Sequence, residues 1–434
     1  MSYLPYTDGE RAGLLAALGL STPGALFEDI PAAARAGGID GLPGPMDECA
    51  LAAHLTELAG QNDPAATPFL GAGVYDHYIP AALAGLVSRS EFATAYTPYQ
   101  PEISQGTLTG IFEFQSHITR LTGLDVANAS QYDGASACAE ALFMAVGQTR
   151  KHRALVSRGV HPEVRRTLRT YARFRGVELA ETDTDPQGQS LTGLSEALTD
   201  DTAAVIVQNP NFFGVLEPMT AIAALAKAGG AAAVAVCDPL SLAVLKPPGA
   251  CGFDIAAGEC QPLGLPPSFG GPHAGYLATK ESYLRRMPGR IAGQTTDAQG
   301  RRAFVLTLQA REQHIRRDKA VSNICSNQAL CALTATVYLS LMGPKGLVKA
   351  AALSAIHMDD LRRTLVSQYG FTQVFDAPFF RECVLRPPEG AVCDWGYDLS
   401  ADYPELAGAR LLCCTEKDGA ERRGRILSAW EANR

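Results

Sequence analysis

The chain has 434 residues, 47% of them hydrophobic and 19% charged, which is enough apolar material for a large core and rules against a disordered chain. Lys and Arg number 37 against 45 Asp and Glu, a net charge of −8; with no basic run to offset it, nucleic acid and membrane surfaces are poor partners. No stretch approaches the roughly 20 uninterrupted apolar residues that span a bilayer, and the opening MSYLPYTDGERAG lacks the pattern of a signal peptide, so a cytoplasmic protein is expected.

The first ninety residues carry helical signals. DGERAGLLAALGL places Leu14, Leu15 and Leu18 on one face behind Asp8, a potential cap. DECALAAHLTELAGQ repeats the pattern with Leu51, Leu55 and Leu58, and the breaker-rich GGIDGLPGP lies between them. Residues 1–90 are therefore expected to form a helical arm. From about residue 130 the texture changes. ASACAEALFMAVGQT, RALVSRGV, PEVRRTLRTYARFRG, AAVIVQNP, TAIAALAKAGG, AAAVAVCD and HAGYLATK alternate between helical and buried-strand character. Such alternation signals a mostly parallel sheet covered on both faces, and residues 91–342 are assigned to that large α/β domain. The helical text CSNQALCALTATVYLSLMG ends at Gly343. GLVKAAALSAIHMDDLRRTLVSQYG and the short runs FTQVF and ECVLR follow, giving a smaller α+β domain over 343–434.

The eleven cysteines form no C-x-x-C pair and several sit inside apolar runs. They read as small buried hydrophobes in a reducing compartment, and no metal site is expected.

Ligands of an open α/β sheet bind in the loops beyond the carboxyl ends of its strands. In YDGASACAEA the small residues Gly134, Ala135 and Ser136 begin a helix whose N–H groups suit an anion, although a plain helix cap explains them as well. QNPNFFG follows a buried strand and offers Asn209 or Asn211, or else an ordinary turn. CDPLS puts Asp238 at the end of the most apolar strand, where a carboxylate can pair with a protonated ring nitrogen or cap the next turn. TAYTPYQPEISQG is a proline-stiffened segment presenting Tyr96, Tyr99, Gln100, Glu102 and Gln105, either to a site or to a neighbouring domain. REQHIRRDKAVSN gathers His314, Arg316, Arg317 and Lys319, able to bind an anion but more often a solvated face.

Taken together, YTPYQPEISQG, TGLDVANASQYDGASACAEA, QNPNFFG, SFGGPHAGYLATK and the long AGQTTDAQGRRAFVLTLQAREQHIRRDKAVSNICSNQALCALTATVYLSLMG resemble the glycine-cleavage P-protein family, and more narrowly its subunit 1 branch. The likeness runs from about Tyr6 to the C-terminus. It implies the aspartate-aminotransferase-like fold (fold type I) of pyridoxal-phosphate-dependent transferases, with a mostly parallel sheet and a small C-terminal domain. It also implies glycine decarboxylation, with transfer of the aminomethyl group to the lipoyl arm of the H-protein. The catalytic half of that family places a Schiff-base lysine eight residues after an Asp. Here Asp254 starts the stretch DIAAGECQPLGLPPSFGGPHAGYLATK and Pro262 stands at the lysine position. Proline offers no amine to an aldehyde. Lys246 and Lys280 are the nearest lysines, and both look displaced.

The resemblance then implies no catalytic residue of its own in this chain, and pyridoxal phosphate bound covalently by a homologous subunit 2, with two copies of each subunit. On this view Tyr96, Tyr99, Gln100, Glu102, Gln105, Thr295 and Thr296 line a shared substrate pocket, while Gly134, Ser136, Asn211 and Asp238 are remnants of a cofactor site. Two alternatives stay open: a scaffold that docks H-protein with a vestigial pocket, and an independent pyridoxal enzyme using Lys280.

Overall fold

The computed structural model describes residues 6–35, 41–62, 67–324 and 326–432. It divides into two compact units, Met1–Pro64 and Ala65–Arg434. The first holds α1 (Asp8–Ala17) and α2 (Glu48–Gly60). The cap of α1 is Thr7 rather than Asp8: its hydroxyl accepts from Glu10 N while the Glu10 carboxylate accepts from Thr7 N, a reciprocal capping box. Asp47 caps α2 through Ala50 N. The leucines Leu14, Leu18, Leu51, Leu55 and Leu58 on these helices are exposed.

The second unit begins earlier than the 90/91 boundary expected from the sequence. The reason is burial: Leu83 of α3 (Ala82–Val87) packs into the same cluster as Phe114, Tyr276 and Tyr338, and Phe69 stands edge-on to Trp395 at 5.5 Å. Its centre is a seven-stranded sheet of β1 (Val126–Ala127), β2 (Arg153–Ser157), β3 (Glu178–Thr182), β4 (Thr202–Asn209), β5 (Ala232–Cys237), β6 (Ile255–Glu259) and β7 (Gly275–Thr279). The spatial order is β1-β7-β6-β5-β4-β2-β3. Strands β2 to β6 pair in parallel, and β7 runs antiparallel to both its neighbours.

The strands are uniformly apolar because both faces are covered, yet the period of two persists underneath. Ala204 and Ile206 of β4 face one core with residues of α5 (Gly134–Thr149) and α6 (Pro162–Phe174). Val205 and Val207 face another with Met219 and Ile222 of α8 (Met219–Ala228). A third cluster joins Phe114 and Ile118 of α4 (Gln105–Thr122) to Ala335, Tyr338 and Leu339 of a long C-terminal helix. The short helices α7 (Leu191–Ala197) and α9 (Pro248–Cys251) fill crossovers. Beyond the sheet come the hairpin of β8 (Ile291–Thr296) and β9 (Arg302–Thr307) and the single turn α10 (Gln313–Arg316).

The span α11 (Ala329–Tyr369) is two helices that meet at a kink, as expected: Gly343, just before Pro344, takes the non-helical φ 59° and ψ 178°. By length and composition alone α11 could cross a membrane. In the fold it is a core helix, with Ala335, Tyr338, Leu347, Ala350, Ala351 and Met358 buried along its length. Its second half carries the antiparallel sheet β10-β11-β13-β12, formed by Thr372–Gln373, Glu382–Arg386, Arg410–Cys413 and Tyr397–Asp398 for β10, β11, β13 and β12. The final helix, α12 (Ala420–Ala432), closes this smaller layer. The described cysteines are all free, and all but Cys49 are buried; burial pushes the Cys138 thiol up to about 12, so it is inert at neutral pH.

QNPNFFG is the seam between the two layers. Gly214 accepts from Phe380 N at 3.1 Å and has φ +81°, and a Cβ there would lie 1.9 Å from the Glu382 carbonyl oxygen. Gly300 shares a positive φ but faces open space. Gly214→Ala is therefore expected to cost about 3 kcal/mol or more, and Gly300→Ala only about 1 kcal/mol. Urea unfolding of the two variants measures the contrast.

Candidate functional site

A cavity of about 510 Å³ opens at the carboxyl edge of the parallel strands, where this kind of sheet places its ligands. Its wall contains Asp133, Gly134, His161, Asp238, Glu259 and Pro262. Each is put there by a short structural device.

At the start of α5, Asp133 accepts from Ser136 N at 2.7 Å and Ser136 Oγ accepts from Asp133 N at 3.1 Å. Ser136 is thus spent on a capping box. A Cβ on Gly134 would sit 2.8 Å from Glu259 N, so only glycine allows this approach of helix and strand. Gly134 N donates to Glu259 Oε2 at 3.0 Å, and Glu259 Oε1 accepts from Gln261 N and Ala274 N, both at 3.2 Å. The seat that a helix N-terminus offers to an anion is filled by the chain's own carboxylate. Glu259 also lies 3.5 Å from His273 Nδ1 and thereby raises the His273 pKa above the ordinary histidine value.

His161 caps α6, its Nδ1 accepting from Glu163 N at 3.1 Å. Its Nε2 then carries the proton and donates to Ala72 O at 2.9 Å. Burial lowers its pKa, so the ring stays neutral, edge-on to Phe212 at 4.7 Å.

Asp238, at the end of β5, is the turn cap of one of its two readings, and its second oxygen faces an arginine rather than a ring nitrogen. Oδ1 accepts from Leu240 N at 3.1 Å as a turn cap, and Oδ2 faces Arg381 Nη2 at 3.0 Å. The Arg381 guanidinium is 2% exposed and lies over the Tyr75 ring at 3.5 Å. It also donates to His77 Nε2. His77 in turn donates from Nδ1 to Glu416 at 2.7 Å, and Tyr75 OH donates to Glu382 at 2.9 Å. Burial works to lower the Arg381 pKa, but Asp238 outweighs it and keeps the group protonated above its usual value. Burial likewise works to raise Glu416, yet the His77 bond holds it at about 2.

Pro262 stands in the cavity wall and no lysine lines it. Lys280 is bonded to Asp254 Oδ1 at 2.7 Å and Gly252 O at 3.2 Å. Asp254 precedes β6 while Glu259 ends it, so about five residues of strand, roughly 17 Å, separate Lys280 from the cavity. That distance removes the reading in which Lys280 is the Schiff-base residue. Lys246 lines a different hollow. The outline suits pyridoxal phosphate, but the amine is missing, the anion seat is filled and Asp238 is engaged. The residues present do not fit a covalently held cofactor in this chain.

Asn211 is not in the cavity lining. It is 1% exposed and ties the QNPNFFG turn to Gly188 O and Glu217 at 2.7 and 2.8 Å. The tyrosine segment forms a separate group against the β8–β9 hairpin. Gln105 brackets Phe304, accepting from its N at 2.9 Å and donating to its O at 2.8 Å. Tyr96 OH meets Ser326 Oγ at 2.6 Å, and the Tyr99 ring lies 5.7 Å from the Arg290 guanidinium. Gln100, Glu102, Thr295 and Thr296 are exposed or partly so, and none of this group lines the cavity. Sequence reasoning missed Glu259, His161, Tyr75 and Arg381. Glu259 at the end of an apolar strand carried the same signal as Asp238; Arg381 had none, since its partner is more than a hundred residues away.

The seven-stranded sheet with one reversed strand, the antiparallel outer layer and the cavity between helix N-terminus and strand ends define the fold type I class of pyridoxal-phosphate-dependent enzymes. Mouse CSAD in apo form shares this fold at a TM-score of 0.66 and 15% identity, over 98% of this chain and 92% of that one. The chain belongs to the glycine cleavage system P-protein family, whose model matches residues 1–392. It is 50% identical to a probable glycine dehydrogenase (decarboxylating) subunit 1 of Moorella thermoacetica over 99% of both chains. Against the Geobacillus kaustophilus protein of the same name the identity is 48%, over 98% of both. A crystal structure of glycine decarboxylase (P-protein) of the glycine cleavage system, in inhibitor-bound form, superposes with a TM-score of 0.90 at 42% identity over the whole of both chains.

Removing one member of the buried Asp238–Arg381 pair strands the other in low dielectric. Arg381→Met is expected to cost about 3–5 kcal/mol, measured by denaturant unfolding, with the double variant Arg381→Met/Asp238→Leu recovering a large part of the loss.

Proposed function

We propose that this chain is the non-anchoring subunit of a two-subunit glycine-decarboxylating P-protein. A homologous subunit 2 holds pyridoxal phosphate covalently, the assembly contains two of each subunit, and the lipoylated H-protein of the cytoplasm receives the aminomethyl group. The single observation that carries this reading is Pro262 in the wall of a cavity without a lysine. The filled seats reinforce it: Glu259 stands where a phosphate would and Arg381 where a ring nitrogen would. A cavity whose charged groups are satisfied internally has little left to offer an anionic cofactor. When bound to the partner, the cofactor supplies an electron sink for the carbanion left by decarboxylation.

The contribution of this chain then comes from the 96–105 segment and the β8–β9 hairpin. Tyr96, Tyr99, Gln100, Glu102, Gln105, Thr295 and Thr296 line the shared pocket, positioning glycine and excluding water. Gln105 holds the two segments together through Phe304. Tyr96 and Tyr99, 85% and 53% exposed, present aromatic area to the partner, the residue type enriched at protein interfaces.

The test is reconstitution. The chain alone, incubated with pyridoxal phosphate and borohydride, is expected to retain no pyridoxyl label, and glycine–bicarbonate exchange is expected only when both subunits and H-protein are present. Label fixed to this chain would overturn the reading. Tyr99→Phe, assayed in the reconstituted complex, is expected to lower exchange by about ten-fold, the size of one lost hydrogen bond; unchanged exchange would remove Tyr99 from the pocket.

A further inference from the structure

Ten buried side-chain polar atoms lack a hydrogen-bond partner among the described residues. Two of them, Asp238 Oδ2 and Arg381 Nη2, face each other at 3.0 Å. Five of the other eight lie on residues around Gly289: Asn128 Oδ1, both amide atoms of Gln131, Arg290 Nε and Arg311 Nη1. Orphaned atoms are rare in native interiors, and their concentration at one place calls for a cause.

Gly289 is the hub. A Cβ built on it would lie 3.2 Å from Asn128 Nδ2 and 3.7 Å from Gln131 Nε2, its carbonyl accepts from Arg311 Nη2 at 3.0 Å, and Arg290 follows it. Asn128 and Gln131 are 0% exposed and Arg290 4%. Arg311 donates twice to backbone carbonyls, Gly289 O and Leu308 O, and burial lowers its pKa. Neither guanidinium is ion-paired with a described carboxylate; Glu312, the adjacent acid, acts on Arg311 through space and lies 3.7 Å from His314. The Arg290 guanidinium lies 5.7 Å from the Tyr99 ring. Water would satisfy the hydrogen bonds but leave the buried Arg290 charge without a carboxylate partner among the described residues. An oxyanion supplies the counter-charge and acceptors for Arg290 Nε, Arg311 Nη1 and Gln131 Nε2, and arginine with an amide N–H is a donor set that recognises one.

We infer that Arg290, Arg311 and the Gln131 amide N–H form a binding site for a small oxyanion, a carboxylate or a phosphate. The inference uses atoms of this chain alone and holds whichever subunit anchors the cofactor.

The experiment is thermal unfolding of the full chain, without cofactor, against rising acetate, glycine or inorganic phosphate at matched ionic strength. The wild-type chain is expected to gain stability saturably from at least one of them. A response to acetate and glycine identifies a carboxylate site, and a response to phosphate alone a phosphate site. In Arg290→Met the half-saturating concentration is expected to rise about ten-fold or more, while the ligand-free Arg290→Met chain melts no lower than wild type because an uncompensated charge has gone. Gln131→Leu, which keeps the volume, repeats the test where Arg290→Met fails to fold. The site is overturned if every oxyanion stabilises wild type and the substituted chains equally, or if a substituted chain melts lower and still responds as wild type does.

Discussion

The ion pair between Asp238 and Arg381 is the interaction around which the rest is arranged. It joins the end of the central strand to the start of β11 in the outer layer, across 143 residues of chain. Two charges buried together owe their cost to dehydration, and such a pair persists when the geometry around it is fixed by further hydrogen bonds. Here His77, Glu416, Tyr75 and Glu382 supply that fixation. The segment carrying Tyr75 and His77 is thereby pinned between the two layers, which is why the compact unit begins before residue 90. Glu259 does the same work at the other end of the cavity, holding the first turn of α5 to the β6–β7 connection.

These two carboxylates change the chemistry of the cavity. A helix N-terminus attracts phosphate because its N–H groups point outward without partners, and an aspartate favours a protonated ring because it would otherwise be an unpaired buried charge. Glu259 and Arg381 supply those partners from within the chain, so both groups are already paired although the shape remains. The opposite holds at Gly289. There Arg290 Nε and Arg311 Nη1 are left without hydrogen-bond partners, a local conflict of the kind folds tolerate at functional places. Shape and electrostatic demand therefore point to different parts of the molecule.

The sequence showed some of this and not the rest, for physical reasons. β2, β4, β5 and β7 announce themselves as apolar runs, and Pro162 at the first turn marks α6. β1, two residues long, and β3, with the polar text ELAET, carry too little apolar signal. Gly343 marks the end of a helix because glycine and proline stand together; the backbone leaves helical geometry there, and a second helix with its own buried face follows. Pro262 was legible because it replaces one residue in a fixed motif. Arg381 and Glu259 were not, because their importance lies in what they touch. Asn211 shows the reverse error: a polar residue in a conspicuous loop whose amide is consumed by the turn it builds.

That distinction bears on how a subunit without the reactive amine stays useful. Once Pro262 removes the covalent hook, an anionic seat and a lone aspartate are destabilising unless something else occupies them. Internal partners such as Glu259 and Arg381 then stabilise the fold. The residues free of such constraint are those that face outward from the 96–105 segment and the hairpin, held at their base by Gln105 and Phe304. Internally paired charges in the cavity and unsatisfied polarity near Gly289 are thus two results of one rule, that a buried charge must find its counterpart either inside the chain or outside it.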